Sequence, residues 1–350
     1  MKDRMRNWIH GESEIANHIR KGFLELFSTS HYYSQLAEWT PPFWQAGLHE
    51  ADVALLEGPI TDVEIRSALW SLKPYKAPEP GGFHAGFFQR FYPTVGSSIR
   101  EEVKSIFSLR EMLDYLNKTL ITLIPKCSNL ETLGNYHPIS LCNSIYKVVT
   151  KIIVARLRSL LAGLVSPLQT AFVPSKEGVD NAIIMQELVH SMSRKKGRVG
   201  VMEIKIDLEK AYDWMEWSFI RDTLNLFRFP RHLITLIMSC VSFSPVAILF
   251  NEGALNSFNP LKGIRQEDPL FPYLFILCME VLGALINKKC DAKLWNPVKS
   301  SQGGVAFSHL FFADNLVLFA KVDRKNCVAV RDVLDTICSL SGQKVSMEKS

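Results

Sequence analysis

Between Ser308 and Phe319 two strongly apolar runs, Leu310-Phe311-Phe312 and Leu316-Val317-Leu318-Phe319, flank the dipeptide Ala313-Asp314. The pattern predicts a β-hairpin of core strands with its tip at Ala313-Asp314. A carboxylate between two such strands loses solvation unless a cation or a donor compensates. A second strand raises the same difficulty. Val199 to Leu208 alternates, with Met202, Ile204, Ile206 and Leu208 on one face and Val201, Glu203, Lys205 and Asp207 on the other. Asp207 therefore closes the open face of a half-buried strand. Two carboxylates side by side repel, and a divalent ion between them removes the conflict. Hard oxygen ligands of this kind suit Mg²⁺, which orients phosphates for in-line displacement. The plainer alternative is an exposed Asp at a tight turn, a position Asp favours anyway.

The rest of the chain mixes helices and strands. Glu14 to Phe27 carries Ile15, Ile19, Phe23, Leu24 and Phe27 at helical spacing. Thr61-Asp62-Val63-Glu64 spells a capping box that opens a helix stopped by Pro74. Lys73 to Gly82 is turn-rich, and Phe87, Phe88, Phe91 and Tyr92 form an aromatic cluster. Leu120 to Ile124 reads as a strand, Leu141 to Leu164 as one long helix and Val179 to Met192 as another. Arg194-Lys195-Lys196-Gly197-Arg198 is a basic loop, read as a solvated turn or as a source of phosphate contacts. Val246 to Phe258 reads as a hairpin turning near Asn251-Glu252-Gly253, and Pro269 to Lys288 and Arg324 to Leu340 as helices. There is no internal repeat and no regular βαβ alternation, so the fold class is α+β and not a doubly wound sheet.

Composition excludes several classes. Of 350 residues, 47% are hydrophobic and 21% charged, which is globular and not disordered. The net charge of +5 permits a polyanionic partner without establishing one. Seven cysteines with no C-x-x-C spacing argue against a zinc ribbon or a disulfide framework and for a reducing, intracellular compartment. Met1 to His10 is polar and unlike a secretory leader. Leu233 to Phe250 is uncharged and close to a bilayer span in length, but Pro245 interrupts it and Ser239, Ser242 and Ser244 dilute it. It reads as a buried helix near 230–242 followed by a strand near 245–250, with no membrane partner. Neither a P-loop nor a G-x-G-x-x-G stands between a strand and a helix. His49-Glu50 lacks a second His, since Val53 stands there; Asn117-Lys118-Thr119 and Ser341-Gly342-Gln343-Lys344 match a sequon and S-x-x-K by spelling only.

Ile204-Lys205-Ile206-Asp207-Leu208-Glu209-Lys210-Ala211-Tyr212-Asp213, then Gly263-Ile264-Arg265-Gln266-Glu267-Asp268-Pro269-Leu270, then Phe312-Ala313-Asp314-Asn315, resembles the ordered motif set of reverse transcriptases, most closely the plant LINE type of non-LTR retrotransposon. Leu123-Ile124-Pro125-Lys126, Pro138-Ile139-Ser140-Leu141-Cys142-Asn143, Ala171-Phe172-Val173-Pro174 and Ser341-Gly342-Gln343 fall in the same order, and Lys76-Ala77-Pro78 with Gly82-Phe83 resembles an upstream element. The resemblance covers about Pro59 to Ser350. It implies a right-hand polymerase with fingers and palm, an antiparallel palm sheet packed on helices, and no thumb within the chain. It implies an N-terminal helical extension over 1–58, an upstream associated region over 59–115 and a reverse transcriptase domain over 116–350, truncated at its C-terminal side. The expected reaction adds dNTPs to a DNA primer 3′-hydroxyl on an RNA template, with two Mg²⁺ ions, or Mn²⁺ in their place. The work is intracellular, the nucleus included, and no protein partner is indicated.

The resemblance also assigns roles. Asp207 and Asp314 are expected to hold metal, with the Leu208 backbone carbonyl beside them. Tyr212 becomes the bulky gate at the sugar 2′ position, the plainer reading being a packed aromatic. Lys126 contacts the triphosphate, the plainer reading being a surface Lys, and Gln266 holds the nucleotide against the template. Asp213 is expected to brace structure, turned away from Asp207 by strand alternation. The departures bear on activity. Asn315 stands where the family has a second adjacent Asp in the catalytic set, and Asn is neutral. Glu267 replaces a Gly that permits close backbone approach. His137 replaces a family Arg, Trp214 a common basic residue, and Pro78-Glu79-Pro80-Gly81-Gly82 departs from Pro-Gly-Pro-Asp-Gly. Each of the Asp, Gly and Arg losses, at Asn315, Glu267 and His137, costs about 10²-fold or more in rate if the role holds. The expected copy is therefore impaired; the alternatives are an inactive retrotransposon remnant that at most binds nucleic acid, or a degenerate reading frame that hardly folds.

Overall fold

The computed structural model describes residues 1–350 apart from 4, 30–46, 77–79, 175, 195–199, 243–244, 252 and 301–302. Its strands, among the described residues, are β1 (Thr119–Pro125), β2 (Tyr136–Cys142), β3 (Val201–Asp207), β4 (Val246–Phe250), β5 (Gly253–Ala254), β6 (Val298–Lys299), β7 (Ala306–Phe307), β8 (His309–Phe312) and β9 (Asn315–Lys321). The chain divides into two compact units. The first comprises Met1–Ser30, Ala54–Arg156 and Pro230–Phe271; the second comprises His31–Val53, Leu157–Phe229 and Pro272–Ser350.

The first unit is built on a sheet of order β2-β1-β4-β5. β1 runs antiparallel to β2 and parallel to β4. The helix Glu12–Leu26 places Ile19 and Phe23 against Ile121, Val246, Ile248 and Phe258, the face its spacing predicts. The capping box forms: Thr61 Oγ1 accepts from the Glu64 N–H at 3.2 Å, and Glu64 Oε2 accepts from the Thr61 N–H at 2.9 Å. Such a cap is worth about 1 kcal/mol. Arg156 binds the same Glu64 carboxylate at 2.7 Å, so a local signal is tied to a distant helix. The helix ends at Trp70, ahead of Pro74. Phe87, Phe88 and Phe91 do cluster, with Phe88 and Phe91 at 5.4 and 5.0 Å from Phe87, and Phe83 joins them at 4.4 Å; Tyr92 lies instead edge-on to Trp70 at 4.9 Å. Arg231–Val241 is the expected buried helix, and β4 the strand after Pro245. β4 turns back into β5 and Phe258 pairs with Val246, as the predicted hairpin requires; Glu252 lies outside the described residues.

Leu141 to Leu164 is not one helix. Tyr136–Cys142 is strand β2, the helix runs over Ser144–Arg158, and Leu161–Leu164 is a separate turn of helix. Leu141 and Cys142 are drawn into the ladder opposite Leu120 and Thr119. The Asn143 side chain then accepts from the Ile145 N–H at 2.8 Å, which marks the switch from strand to helix.

The second unit is built on an antiparallel sheet of order β3-β9-β8. The helix Gly178–Arg194 packs on it, bringing Leu188 to Val298, Leu310 and Phe319. Arg194 ends this helix, and the rest of the expected basic loop lies outside the described residues. Trp295 is fully buried and donates its indole N–H to the Phe319 carbonyl at 2.8 Å. Asp323 caps the helix Arg324–Ser341 by accepting from the Asn326 N–H at 2.8 Å. Phe271–Asp291 is the one helix among the described residues long and apolar enough to cross a membrane, and 67% of its apolar window is buried inside the protein.

Candidate active site

The β8–β9 hairpin turns at Ala313-Asp314, as its sequence predicts: Phe312 pairs with Asn315, leaving a two-residue loop. Ala313 takes φ 54°, which fits the turn and strains an alanine. On the other side of β9, Asp207 is opposite Asn315. The Asp207 N–H bonds Ser350 Oγ at 3.0 Å and its carbonyl accepts from the Ser346 N–H at 2.8 Å. Both main-chain groups thus face away from β9, so Asp207 and Asn315 are a non-hydrogen-bonded pair, the kind with Cα atoms about 4.5 Å apart and side chains closest. Asp207 and the tip bearing Asp314 therefore meet at one end of one sheet.

Next to Asp207, Leu208 pairs with Val345, through the Glu209 N–H to the Lys344 carbonyl at 2.9 Å and the Ser346 bond to Asp207. The Leu208 carbonyl takes no part in that bridge. Two carboxylates and this carbonyl are hard oxygen donors of the kind Mg²⁺ prefers, and in that sense the residues fit the ion. Asn315 offers a neutral amide, and among the described residues no three His, Cys, Asp or Glu side chains gather into a metal-holding group. Carbonyl and solvent oxygens would complete the coordination shell.

Tyr212 comes to the same place. Its hydroxyl hydrogen-bonds to Asp314, and its ring lies edge-on to Phe275 at 4.8 Å. Burial, then the Asp314 charge and this bond, push the phenol well above its ordinary range. One edge of the ring packs, as the packed-aromatic alternative expects, and the hydroxyl faces the carboxylate. The segment 209–214 is a run of turns, not strand. Asp213 is therefore not oriented by strand alternation; it is buried, and its N–H bonds the Lys210 carbonyl at 2.8 Å.

Ser341-Gly342-Gln343 braces these turns. The Gln343 side chain donates to the Ala211 carbonyl at 3.1 Å, and the Ser341 carbonyl accepts from the Glu216 N–H at 3.0 Å. Gly342 has φ 74°, and a Cβ there would stand 2.6 Å from Glu216 Cγ and 3.0 Å from the Trp214 carbonyl. Lys344 lies over the Trp214 ring at 4.6 Å.

Lys126 and Gln266 belong to the first unit. Lys126 follows β1, is exposed, and its ammonium reaches the Gly134 carbonyl at 3.3 Å. Gln266 is half-buried in a turn with Glu267, whose φ is 72°. A glycine adopts that conformation freely; a glutamate is strained in it. Glu267 also pairs with Lys76 at 3.3 Å, both side chains exposed. Sequence reasoning gave no role to the residues that carry this turn. The Arg265 guanidinium is enclosed although the residue is half-buried overall; it lies over the Tyr146 ring at 4.7 Å and donates to Asn117 Oδ1 at 2.6 Å. The Tyr146 hydroxyl donates to buried Asp268, whose Oδ1 accepts from the Leu270 N–H at 2.9 Å. Burial raises the Asp268 carboxyl, against the pull of Tyr146 and Arg265. Two charges flanking Gln266 in a turn before Pro269 were the available signal; Tyr146, far away in sequence, left none.

A family model described as reverse transcriptase (RNA-dependent DNA polymerase) matches residues 124–350. The chain is 26% identical over 295 residues to the transposon TX1 uncharacterized 149 kDa protein of Xenopus laevis, covering 84% of this chain and 22% of that protein. It is 28% identical over 226 residues to the retrovirus-related Pol polyprotein from type-2 retrotransposable element R2DM of Drosophila melanogaster, 65% of this chain and 20% of that one. It is 43% identical over 67 residues to the uncharacterized mitochondrial protein AtMg01250 of Arabidopsis thaliana, 19% of this chain and 55% of that one. The chain thus spans about a fifth of the first two relatives. The α+β architecture is that of reverse transcriptase fingers and palm, and that family in general uses divalent metal ions. The chain belongs to the reverse transcriptase family, as a domain homologous to those of non-LTR retrotransposons.

Proposed function

We propose that this domain is the polymerase of a plant LINE-type element, extending a DNA primer on an RNA template with dNTPs, inside the cell and in the nucleus. The observation that carries the reading is the meeting of Asp207 with the Asp314 tip at one end of an antiparallel sheet, with the Tyr212 hydroxyl on Asp314. Two bound Mg²⁺ ions would supply charge neutralisation for attack of the primer 3′-hydroxyl on the α-phosphate, with pyrophosphate leaving. Asp207, Asp314 and the Leu208 carbonyl would hold them. Tyr212, fixed against Phe275, presents bulk beside the carboxylates, where a 2′-hydroxyl is to be excluded. The roles of Lys126 at the triphosphate and Gln266 at the nucleotide rest on the resemblance, as do the limits 1–58, 59–115 and 116–350.

We further propose that this copy is slow. Asn315 removes a negative charge directly opposite Asp207, and Glu267 places a carboxylate in a turn strained by its side chain. The test is primer extension on poly(rA)/oligo(dT) with Mg²⁺ or Mn²⁺. Weak extension is expected, increased in the Asn315→Asp, Glu267→Gly double variant and abolished by Asp207→Ala. Robust synthesis by the parent overturns the impairment, and extension that survives Asp207→Ala overturns the site.

A further inference from the structure

The Asp314 tip is held from outside the hairpin. Ala313 is buried, so its N–H needs a partner within the protein. The hairpin offers none, since its last ladder pair is Phe312 with Asn315. The partner is Gln169, a side chain with no exposure. Gln169 Oε1 accepts from the Ala313 N–H at 3.3 Å and from the Ala171 N–H at 3.0 Å. Two main-chain donors on one atom fix that atom as the carbonyl oxygen of the amide. Around it, the segment 166–171 is laid against β8 by a parallel bridge between Gln169 and Phe311. The Phe311 N–H bonds the Leu168 carbonyl at 2.9 Å, and Asn181 donates to the Phe311 carbonyl at 2.9 Å. The base of the segment is anchored in turn: Lys176 donates to the Ser166 carbonyl at 2.7 Å and the Gln169 carbonyl at 3.2 Å, while Glu280 accepts from the Ser166 N–H at 3.1 Å. Gln169 is thus placed rigidly, and Ala313 is held in its strained conformation by it.

We propose that Gln169 is a positioning residue for Asp314: its side-chain carbonyl, shared between the Ala171 and Ala313 amides, sets the hairpin tip and with it the direction of the Asp314 carboxylate. The latch itself is independent of the polymerase reading; its consequence for cation binding rests on that reading.

The experiment uses the whole chain labelled with ¹⁵N-alanine, the Ala313 resonance being assigned by its loss in Ala313→Gly. In the unmodified chain the Ala313 amide is expected to be protected from hydrogen exchange; exchange at the unprotected rate overturns the latch without recourse to any variant. In Gln169→Met, which keeps length and loses the oxygen, Ala313 exchange is expected to rise at least tenfold. In Gln169→Glu, which keeps an acceptor oxygen, protection is expected to persist. Mn²⁺ binding, followed by the electron spin resonance of the free ion, is expected to weaken at least tenfold in Gln169→Met. Val330→Ala, which truncates a buried side chain in the helix Arg324–Ser341, serves as a control for lost stability and is expected to leave Mn²⁺ affinity unchanged. Faster Ala313 exchange with unaltered Mn²⁺ affinity overturns the positioning role, provided Asp207→Ala abolishes binding. Mn²⁺ binding that Asp207→Ala leaves intact overturns the polymerase reading instead, and the latch then stands or falls on exchange alone.

Discussion

Glu280 is expected to make the protein less stable at neutral and higher pH. Its side chain is buried in the helix Phe271–Asp291; Oε2 accepts from the Ser166 N–H at 3.1 Å, and Oε1 has no partner among the described residues. Burial pushes its pKa up from 4.5 to about 7, against the Ser166 bond and the nearby Lys176 charge. The folded chain therefore keeps a proton that the unfolded chain gives up near pH 4.5, and stability falls as pH rises between 4.5 and 7. At about 1.4 kcal/mol per pH unit the whole swing is about 3 kcal/mol. His309 acts in the opposite sense. It is buried beside Phe311, and burial lowers its pKa from 6.5 to about 3. The unfolded chain takes up a proton below 6.5 that the folded chain refuses, so this contribution is complete above pH 6.5 and is lost as pH falls toward 3. Between pH 4.5 and 6.5 the two slopes cancel. Glu280→Gln keeps the acceptor for Ser166 and cannot ionise. It is expected to exceed the parent by about 3 kcal/mol at pH 8, to match it near pH 4.5, and to show the acid slope of His309 that the parent hides. Urea unfolding followed by tryptophan fluorescence across that range measures the difference, in which the other titrating groups drop out. An offset between the two chains that stays constant from pH 4.5 to pH 8 refutes the reasoning.

At Glu267, the Gly variant is expected to be more stable than the Ala variant by about 1 kcal/mol: both lose the exposed Lys76 pair, and only Gly relieves the left-handed backbone. Equal midpoints in thermal unfolding of the two variants count against the strain. Gly342→Ala is expected to cost about 2 kcal/mol or more, from the positive φ and the 2.6 Å approach to Glu216. The same denaturant titration reads it, and a loss under about 0.5 kcal/mol shows that the 209–216 turns can yield.

The strands that carry the candidate site were legible because their signals are local. Val201 to Asp207 alternates on its own, and the arms around Ala313-Asp314 are apolar enough to require a hairpin. The capping box at Thr61 was legible for the same reason. What escaped notice depends on partners distant in the chain. Leu141 and Cys142 continue a helical apolar spacing into Ser144–Arg158, and only the β1 ladder makes them strand. Gln169 has no pattern around it; its meaning lies 144 residues away, at Ala313. Asp268 and Arg265 could be read as charged turn residues until Tyr146 closes over them. For Asp213 only the reason fails: β3 ends at Asp207, and 209–214 is a run of turns to which strand alternation does not apply.

The bond from Asp207 to Ser350 closes a loop of 143 residues, and the Ser346 bond nearly as many. Contacts of that span form late, after local structure has condensed. During synthesis the first acidic side chain emerges long before the segment that immobilises its backbone. A chain interrupted between the Asp314 tip and Lys344 would carry both carboxylates yet leave the amide and carbonyl of Asp207 bare on that side. On this geometry, the fixing of Asp207 waits on the segment 344–350.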